Sequence, residues 1–329
     1  MRCILMMSSS DPKIINIEDI ETKPTKWIWH PFIPSGAITI LQGDPGEGKS
    51  TLMTQIIARL SRGEAIFDEP QPHEPINIIY QNSEDSLSRT IRPRLEKANA
   101  DLSKVSFIDE SDYCLSMSDS LIEKTIIQKE PKLFVLDPMQ AYLGSKIDFH
   151  RANEIRPVMH HLSALAERYE CAIVLVGHLN KMSGNKAAYR GLGSIDIFGA
   201  ARSVLVVGTP QNNPDVRVLA HSKSNLSEKG SSIEFQLNPF KILGRTNISA
   251  DELLGSSPSI TKSKLAENLI LEMLSDGVAK PKKEFIKRAA ENDISPRTLD
   301  DAKNRLKVES NKYGKFWFWE PPEQQCNKT

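Results

Sequence analysis

The sequence predicts an α/β fold in which helices cover both faces of a mostly parallel β-sheet, followed by a small helical domain. Three observations support this prediction. From residue 37 onward, short apolar runs typical of buried strands alternate with amphipathic helical patterns. A glycine-rich turn with the spacing G-x-x-x-x-G-K-S joins the first strand to the first helix. Near residues 245–262 the alternation gives way to a polar, serine-rich stretch, and short helical patterns follow it.

The first strand, AITIL, and the helix that begins near Ser50 flank the sequence GDPGEGKST. The backbone N–H groups of such a turn, together with the positive end of the helix, bind phosphate groups. We expect ATP as the ligand, with Lys49 reaching its β- and γ-phosphates and Ser50 holding Mg²⁺. The predicted nucleotide-binding residues are Gly43, Asp44, Pro45, Gly46, Glu47, Gly48, Lys49, Ser50 and Thr51.

The next elements follow in order along the chain. The runs INIIY, VSFID, KLFVLD, CAIVLVGH, SVLVVG and VRVLAHS predict strands, whereas SLIEKTIIQ and ANEIRPVMHHLSALAERY predict connecting helices. Helical crossovers favour parallel pairing of the strands that they join. The last of these strands follow one another closely, so we expect an antiparallel edge there.

Acidic residues follow two of the predicted strands. Asp137 ends KLFVLD, where an acid in a phosphate-loop protein helps to hold Mg²⁺. Glu84 and Asp85 directly follow the second strand, and a carboxylate beside the γ-phosphate can activate the attacking water as a general base. Glu84 is the preferred candidate, although a solvated acidic turn would give the same pattern.

A histidine and a basic loop follow the strand CAIVLVGH. His178 can sense the γ-phosphate, but a structural histidine is an equal alternative. The following segment, residues 181–194, is rich in glycine and basic residues and contains one aromatic side chain. It fits a loop that grips single-stranded nucleic acid, and an ordinary surface loop fits equally well. The candidate nucleic-acid-binding residues are Lys181, Lys186, Tyr189 and Arg190.

The C-terminal part predicts three short helices and a hairpin. Ser295 and Pro296 have the residue types of an N-cap and a first helical position for the third helix, and KYGKFWFW predicts the hairpin. This order suggests a winged helix-turn-helix. We therefore expect four segments: an α/β domain (residues 1–245), a linker (246–262), a winged-helix-like domain (263–320) and a tail (321–329).

Composition narrows the class of protein. The 329 residues carry 42 basic and 42 acidic side chains, so nucleic-acid binding would depend on a local basic surface. The four cysteines are scattered, which favours reduced thiols over a zinc site or a disulfide framework. No signal-peptide pattern or long apolar run occurs. We expect a cytoplasmic protein that does not contact a membrane.

Six motifs occur in the order found in one family: GDPGEGKST, QNSEDS, VLDPMQAYLG, VGHLNKMSG, YRGLGSIDIFGAARSV and SKSNL. Residues 15–245 thereby resemble the RecA-type ATPases of the RepA group of hexameric replicative helicases, found on plasmids, phages and mobile elements. The C-terminal segment resembles the tail of many phage and mobile-element members. One departure is that the magnesium strand ends in the single acid Asp137, followed by Pro138, where some relatives carry paired aspartates.

The resemblance implies roles that the residues alone do not assign. Glu84 would be the catalytic base, Asp137 a metal-binding acid and His178 a link between the γ-phosphate and the DNA loop. Arg202 matches an arginine finger that reaches a neighbouring subunit's site, and Lys223 matches a second basic residue of that interface. The implied assembly is a homo-oligomeric ring, with six subunits as in the family, acting on single-stranded DNA with ATP and Mg²⁺ and contacting replication proteins through its C-terminal domain.

The sequence is compatible with three functions. The first is an ATP-hydrolysing, nucleic-acid-stimulated motor, such as a helicase of a plasmid, phage or mobile element. The second is a recombination or repair ATPase related to RecA and RadA that forms filaments, for which the roughly 35 residues before the phosphate loop leave little room. The third is a replication initiator or regulator whose ATP site is an assembly switch and whose winged helix reads duplex DNA.

Overall fold

The structure is a computed structural model that describes residues 14–321, except residues 68, 70–73, 145–146, 148–150, 180–194, 212, 255–261, 276 and 293. The chain forms two compact units, which divide after Ile248. None of the helices in the described ranges has the length and hydropathy that a membrane crossing requires.

The first unit contains eleven strands and five α-helices among the described residues. The strands are β1 (Trp27–Trp29), β2 (Ile33–Pro34), β3 (Ile38–Gly43), β4 (Ile78–Asn82), β5 (Val105–Ser106), β6 (Leu133–Asp137), β7 (Ala172–His178), β8 (Ser203–Gly208), β9 (Arg217–Ser224), β10 (Ser232–Leu237) and β11 (Phe240–Thr246). The helices are α1 (Lys49–Arg62), α2 (Arg92–Lys97), α3 (Ser120–Lys129), α4 (Ala152–Tyr169) and α5 (Ile195–Ala200).

Nine of these strands form one sheet in the order β11-β10-β9-β8-β3-β7-β6-β4-β5. The pairs from β8 to β5 are parallel, and the pairs from β8 to β11 are antiparallel. The sequence prediction of a mostly parallel α/β sheet is therefore confirmed. Strands β10 and β11, which the apolar pattern did not reveal, extend its antiparallel edge.

The centre of the sheet is buried on both faces. Every residue of β3, β6 and β8 is buried, as expected for strands covered by helices on each side. One apolar cluster packs α1 against one face and includes Trp29 and Phe235. A second cluster packs α3 and α4 against the other face. The sheet is thus a stiff platform whose strand ends hold the loops described below.

The second unit has its own core. Its elements are α6 (Ala250–Leu253), α7 (Lys262–Met273), β12 (Lys280–Pro281), α8 (Lys282–Glu291), α9 (Pro296–Arg305), β13 (Glu309–Tyr313) and β14 (Phe316–Glu320). Its three strands form a sheet in the order β12-β14-β13. Phe285 and Trp319 are fully buried, and their ring centroids lie 4.7 Å apart. The Ser295 side chain accepts a hydrogen bond from the backbone of Thr298 and so caps α9.

Two short segments near and within the second unit have features that the sequence analysis did not include. Pro281 lies at the N-cap of α8 and belongs to β12, because its extended backbone precedes the first helical turn. The segment interpreted as a linker, residues 246–262, begins within β11 and contains α6. The backbone N–H of Glu252 donates to the Ser249 side chain and the backbone N–H of Ser249 donates to the Glu252 carboxylate, so this short helix has a capping box that a composition-based reading overlooked.

Candidate functional site

The carboxyl ends of four parallel strands lie side by side at one end of the sheet. Gly43 at the end of β3 aligns with His178 at the end of β7, and Asn82 at the end of β4 aligns with Asp137 at the end of β6. Ligands of open α/β sheets bind at this end, because the loops that leave the strands surround a crevice there. The register therefore brings together residues from four distant parts of the sequence.

The turn between β3 and α1 is shaped by its glycines. Gly48 has φ +86°, and a Cβ atom on it would lie 2.4 Å from Leu237 Cδ2. A Cβ atom on Gly43 would lie 2.2 Å from the carbonyl oxygen of Val207. Gly46 also has a positive φ, but no atom lies within 4 Å of the Cβ position. Two glycines thus permit close packing of the turn, while the third leaves its outer side open to a ligand.

Lys49, the first residue of α1, has a buried side chain. Its ammonium donates hydrogen bonds to the carbonyl oxygens of Gly43 and Asp44, at 2.8 and 2.9 Å, and lies 3.3 Å from His178 Nδ1. Burial lowers the pKa of Lys49, and Asp137 with other nearby carboxylates opposes this effect. A phosphate group would supply an anionic partner to this buried ammonium.

Asp137 is the acid at the centre of the crevice. It is buried, and Tyr80 donates a hydrogen bond to its Oδ2 atom at 3.1 Å. Burial raises the pKa of Asp137, whereas hydrogen bonds from Ser50 and Tyr80 oppose this effect. The Ser50 hydroxyl and the Asp137 carboxylate are thus direct neighbours, and oxygen atoms of this kind are the ligands that Mg²⁺ prefers.

His178 lies between Lys49 and Glu84. Its Nε2 atom is 3.6 Å from Glu84 Oε1, while its Nδ1 atom faces the Lys49 ammonium. Asn82 Oδ1 accepts hydrogen bonds from the backbone N–H groups of Glu84 and Asp85 and so fixes the turn after β4. The Asp85 carboxylate is engaged elsewhere, at 2.6 Å from Arg94 Nη1. The geometry therefore favours Glu84 over Asp85 as the acid that faces the crevice.

Glu47 connects the glycine-rich turn to the antiparallel side of the sheet. Its Oε2 atom accepts a hydrogen bond from Thr209 Oγ1 at 2.6 Å and lies 3.2 Å from Arg217 Nε. Thr209 directly follows β8, and Arg217 begins β9. These contacts fix the turn to two strands that come much later in the sequence.

Arg202 and Lys223 lie near the amino-terminal end of β3, at the other end of the strands from the glycine-rich turn. The Arg202 backbone N–H donates to the carbonyl of Ile38, the first residue of β3. The glycine-rich turn follows Gly43, the last residue of the same strand. Five residues of strand separate these levels by about 16 Å. Lys223 Nζ donates to the carbonyls of Phe198, Gly199 and Ala201, which lie just before Arg202.

A buried network supports this end of the strands. The Gly230 backbone N–H donates to His221 Nδ1 at 3.1 Å, so the proton of a neutral ring lies on Nε2. His221 Nε2 is 3.0 Å from Ser203 Oγ, which itself donates to the carbonyl of Phe32. Burial lowers the pKa of His221 to about 4.

The sequence-predicted site residues thus fall into three groups. The first group runs from the end of β3 to the first turn of α1. It comprises Gly43, Asp44, Pro45, Gly46, Glu47, Gly48, Lys49, Ser50 and Thr51. The same crevice contains Glu84, Asp137 and His178, whereas Arg202 and Lys223 lie at the other end of the strands. The candidate nucleic-acid-binding residues Lys181, Lys186, Tyr189 and Arg190 lie outside the described residues. Sequence reasoning missed Tyr80 and Asn82, although the asparagine before SEDS is a recognisable turn signal.

The residues present fit a nucleotide with Mg²⁺. The open side of Gly46, the buried Lys49 ammonium and the start of α1 provide a cradle for phosphate groups. Ser50 and Asp137 are the side chains that would hold Mg²⁺, an ion that usually keeps several water ligands and needs few from protein.

Comparisons with known proteins show the family to which the chain belongs. Residues 10–184, just over half of the chain, match the family described as AAA domain. The DNA repair protein RadA of Mycolicibacterium smegmatis is 28% identical over 153 residues, which are 45% of this chain and 29% of that protein. RadA of Bacillus subtilis is 27% identical over 152 residues, 45% of this chain and 29% of that protein. The chain therefore spans less than a third of the length of these curated relatives.

Among solved structures, a KaiC-like protein from Pyrococcus horikoshii OT3 has a TM-score of 0.46 and 18% identity, covering 65% of this chain and 91% of that chain. The glycine-rich turn between β3 and α1, the acid at the end of β6 and the parallel sheet lie largely within the region that the family match covers. The chain belongs to the AAA domain family, and its first unit has a RecA-like P-loop NTPase fold.

Proposed function

We propose that the protein is an ATP-hydrolysing motor that is stimulated by single-stranded nucleic acid and works as a homo-oligomeric ring of six subunits. In this proposal it unwinds DNA as a replicative helicase of the RepA-like group carried by plasmids, phages or mobile elements. The proposal builds on the P-loop domain, on the motif order in the sequence and on the placement of two groups of candidate residues at opposite ends of the strands of one sheet.

The position of Arg202 is the observation that carries the proposal. An arginine about 16 Å along the strands from the glycine-rich turn cannot reach the γ-phosphate bound in its own subunit. The same arginine can complete the site of a neighbouring subunit, as an arginine finger supplied in trans does. Such head-to-tail contacts generate rings when the rotation closes.

Each residue of the crevice has a role in this proposal. Mg²⁺ would neutralise charge on the phosphates, with Ser50 and Asp137 holding it through their oxygens. Lys49 binds the β- and γ-phosphates through its ammonium group. Glu84 accepts a proton from the attacking water, and its exposed carboxylate is accessible for this task. His178 contacts both Lys49 and Glu84, so a displacement of either side chain alters the position of its ring.

The loop that contains Lys181, Lys186, Tyr189 and Arg190 is proposed to grip the single strand. It directly follows β7 and His178 in the sequence, which supports a connection between the γ-phosphate and the nucleic acid. The second unit is proposed to be a winged-helix-like domain that recruits replication proteins; its helices α7, α8 and α9 and its β13–β14 hairpin support this proposal.

The RadA relatives favour a second candidate, an ATPase of recombination or DNA repair. The M. smegmatis protein is 28% identical over 153 residues, which are 45% of this chain. Strand unwinding distinguishes the two candidates, since a helicase separates a forked duplex, whereas a recombinase pairs homologous strands.

The first experiment is steady-state ATP hydrolysis with and without single-stranded DNA, with Lys49→Ala as the blank. We expect DNA to stimulate hydrolysis by about tenfold or more, which corresponds to about 1.4 kcal/mol of the barrier. A slow rate that does not respond to DNA, with ATP still bound, would contradict the motor. The P-loop would then act as an assembly switch, as the initiator interpretation of the sequence requires.

A further inference from the structure

The β13–β14 hairpin of the second unit exposes large aromatic side chains. Phe316 is 67% exposed, Tyr313 is 56% exposed and Trp317 is 50% exposed, although each has an extensive apolar surface. These residues lie in the hairpin tip, which we define as residues 311–317. Folded proteins rarely leave several aromatic rings together in solvent without a binding role.

The register of the hairpin arranges these rings on two faces. Trp317 opposes Lys312, and Tyr313 opposes Phe316. Directly opposed residues share a face, so one face of the tip presents an indole beside an ammonium group. The other face presents a pair of aromatic rings, and Tyr313 also packs edge-to-face on Phe318, with ring centroids 5.5 Å apart.

The charge of the hairpin tip itself is positive, whereas the acid Glu320, at the base of the hairpin, accepts a hydrogen bond from the Tyr313 side chain. The hairpin tip, NKYGKFW, carries Lys312 and Lys315 and no acidic residue. Farther along the face of Trp317 lies the buried ring of Trp319, which has Lys282 Nζ and Lys303 Nζ at 5.7 and 5.9 Å from its centroid. Lysine side chains therefore lie near both tryptophans of this face, and Lys282 also pairs with Asp300 at 3.2 Å.

We propose that the hairpin tip binds single-stranded nucleic acid. Unpaired bases stack on Trp317 on one face of the tip and on Phe316 on the other, and the ammonium groups of Lys312 and Lys315 contact the phosphates. Exposed aromatic rings alternating with cations suit this ligand because every base has a π-face and every linkage carries a negative charge. Paired bases within a duplex do not offer their faces to these rings. The site lies in the second unit and does not require ATP hydrolysis.

The test uses the full-length chain, a labelled oligo(dT) probe and no added nucleotide. Fluorescence anisotropy gives the Kd, and the emission of the intrinsic tryptophans reports stacking. We expect Trp317→Ala to weaken binding about fivefold or more. Trp317→Phe keeps an aromatic face, so it should retain most of the affinity while losing the quenching of tryptophan emission that oligo(dT) causes in the unmodified protein.

The lysines have a separate signature. Each phosphate contact on a single strand contributes about 0.7 to the slope of log K against log salt concentration, so Lys312→Ala with Lys315→Ala should reduce that slope by roughly 1.4. Leu271→Ala is the matched control, because Leu271 is a 53% exposed apolar residue on α7 of the same unit. We expect this control to bind like the unmodified protein.

Two results would overturn the proposal. One is unchanged affinity in Trp317→Ala together with tryptophan emission that oligo(dT) does not alter. The other is equally effective competition by duplex DNA, which would exclude base stacking. ATP hydrolysis of Trp317→Ala without DNA should equal that of the unmodified protein. Failure of the motor proposal would appear in that hydrolysis assay, whereas failure of the hairpin site would appear in binding without nucleotide.

Discussion

At the scale of single residues, His178 is the link between the P-loop lysine and the acid after β4. An ammonium group can only donate, so a charged Lys49 makes Nδ1 of His178 an acceptor. A neutral ring then carries its proton on Nε2, which faces Glu84. The orientation of the imidazole is therefore set by the side chain that would bind the γ-phosphate, and the same ring contacts the proposed general base.

We expect Glu84→Gln to lower kcat for ATP hydrolysis by about 10²- to 10⁴-fold, because an amide cannot accept the proton of the attacking water. Asp85→Asn is the matched control, since the Asp85 carboxylate pairs with Arg94 and is turned to another partner. Its kcat should fall by less than about tenfold. Equal losses in the two variants, measured by phosphate release under saturating ATP, would contradict the assignment of Glu84.

His221 predicts a pH dependence of stability. The pKa of this buried histidine is lowered to about 4, below its ordinary value of 6.5. The unfolded chain therefore binds more protons between these values, and the stabilisation is complete above pH 6.5 and is lost as the pH falls toward 4. The loss amounts to about 3 kcal/mol. Urea unfolding at several pH values should show a smaller loss over this range in His221→Asn; an identical loss in both proteins would contradict the prediction.

The sequence predicted the site residues that belong to a recognisable motif. Lys49, Ser50 and Asp137 were predicted because phosphate-loop spacing and a strand-end acid have defined chemical roles. Tyr80 was not, because a tyrosine within an apolar strand looks the same whether its hydroxyl is paired or not. Its hydrogen bond to Asp137 depends on the pairing of β4 with β6, which no local pattern encodes.

At the scale of elements, the turn between β3 and α1 depends on two different properties of glycine. Gly46 and Gly48 have φ +84° and +86°, so an alanine at either position is strained. Only Gly48 also packs closely, with Leu237 2.4 Å from the position of an added Cβ. Comparison of the two positions therefore separates backbone strain from steric overlap.

We expect Gly48→Ala to destabilise the protein more than Gly46→Ala, by about 1–3 kcal/mol of additional overlap. The double variant Gly48→Ala with Leu237→Ala removes the overlapping methyl groups, but it also loses a partly buried leucine. Leu237→Ala alone corrects for that loss in a double-mutant cycle. Urea unfolding provides the free energies. Additive effects of the two substitutions would show that overlap with Leu237 is not the cause.

The elements themselves were largely predictable, because each buried strand of the parallel sheet is a short apolar run between helical patterns. Strands β10 and β11 were harder to predict. Strand β11 alternates between half-buried and exposed residues and contains Gly244, so it lacks the continuous apolar run of the interior strands. The capping box that begins α6 is local and could have been found, whereas the pairing order of the sheet required the three-dimensional structure.

At the scale of the whole molecule, the proposed motor needs residues from two subunits at every site. We expect Arg202→Ala to lower hydrolysis on the order of a thousandfold, and Lys49→Ala to abolish it. In an equal mixture of the two variants, a site is complete when its own Lys49 and its neighbour's Arg202 are both intact. Random assembly gives about a quarter of such sites.

Mixing experiments provide the measurement. Hydrolysis in the mixture should rise well above that of either variant alone and approach about a quarter of the unmodified rate. A Lys49→Ala, Arg202→Ala double variant is the control, because adding it to the Arg202→Ala protein supplies no intact arginine. Failure of the two single variants to complement each other, while both still assemble, would show that Arg202 does not act between subunits.

Strands β8 and β9 are hydrogen-bonded side by side. Glu47 contacts one end of this pair, and Arg202 and Lys223 lie at the other end. A six-residue strand spans about 20 Å, and a hydrogen-bonded pair of strands hardly stretches. We therefore expect a displacement of the P-loop at one end of this strand pair to displace the other end by a similar distance. Occupancy of one pocket can thus be transmitted across the subunit by rigid translation, without any segment having to unfold.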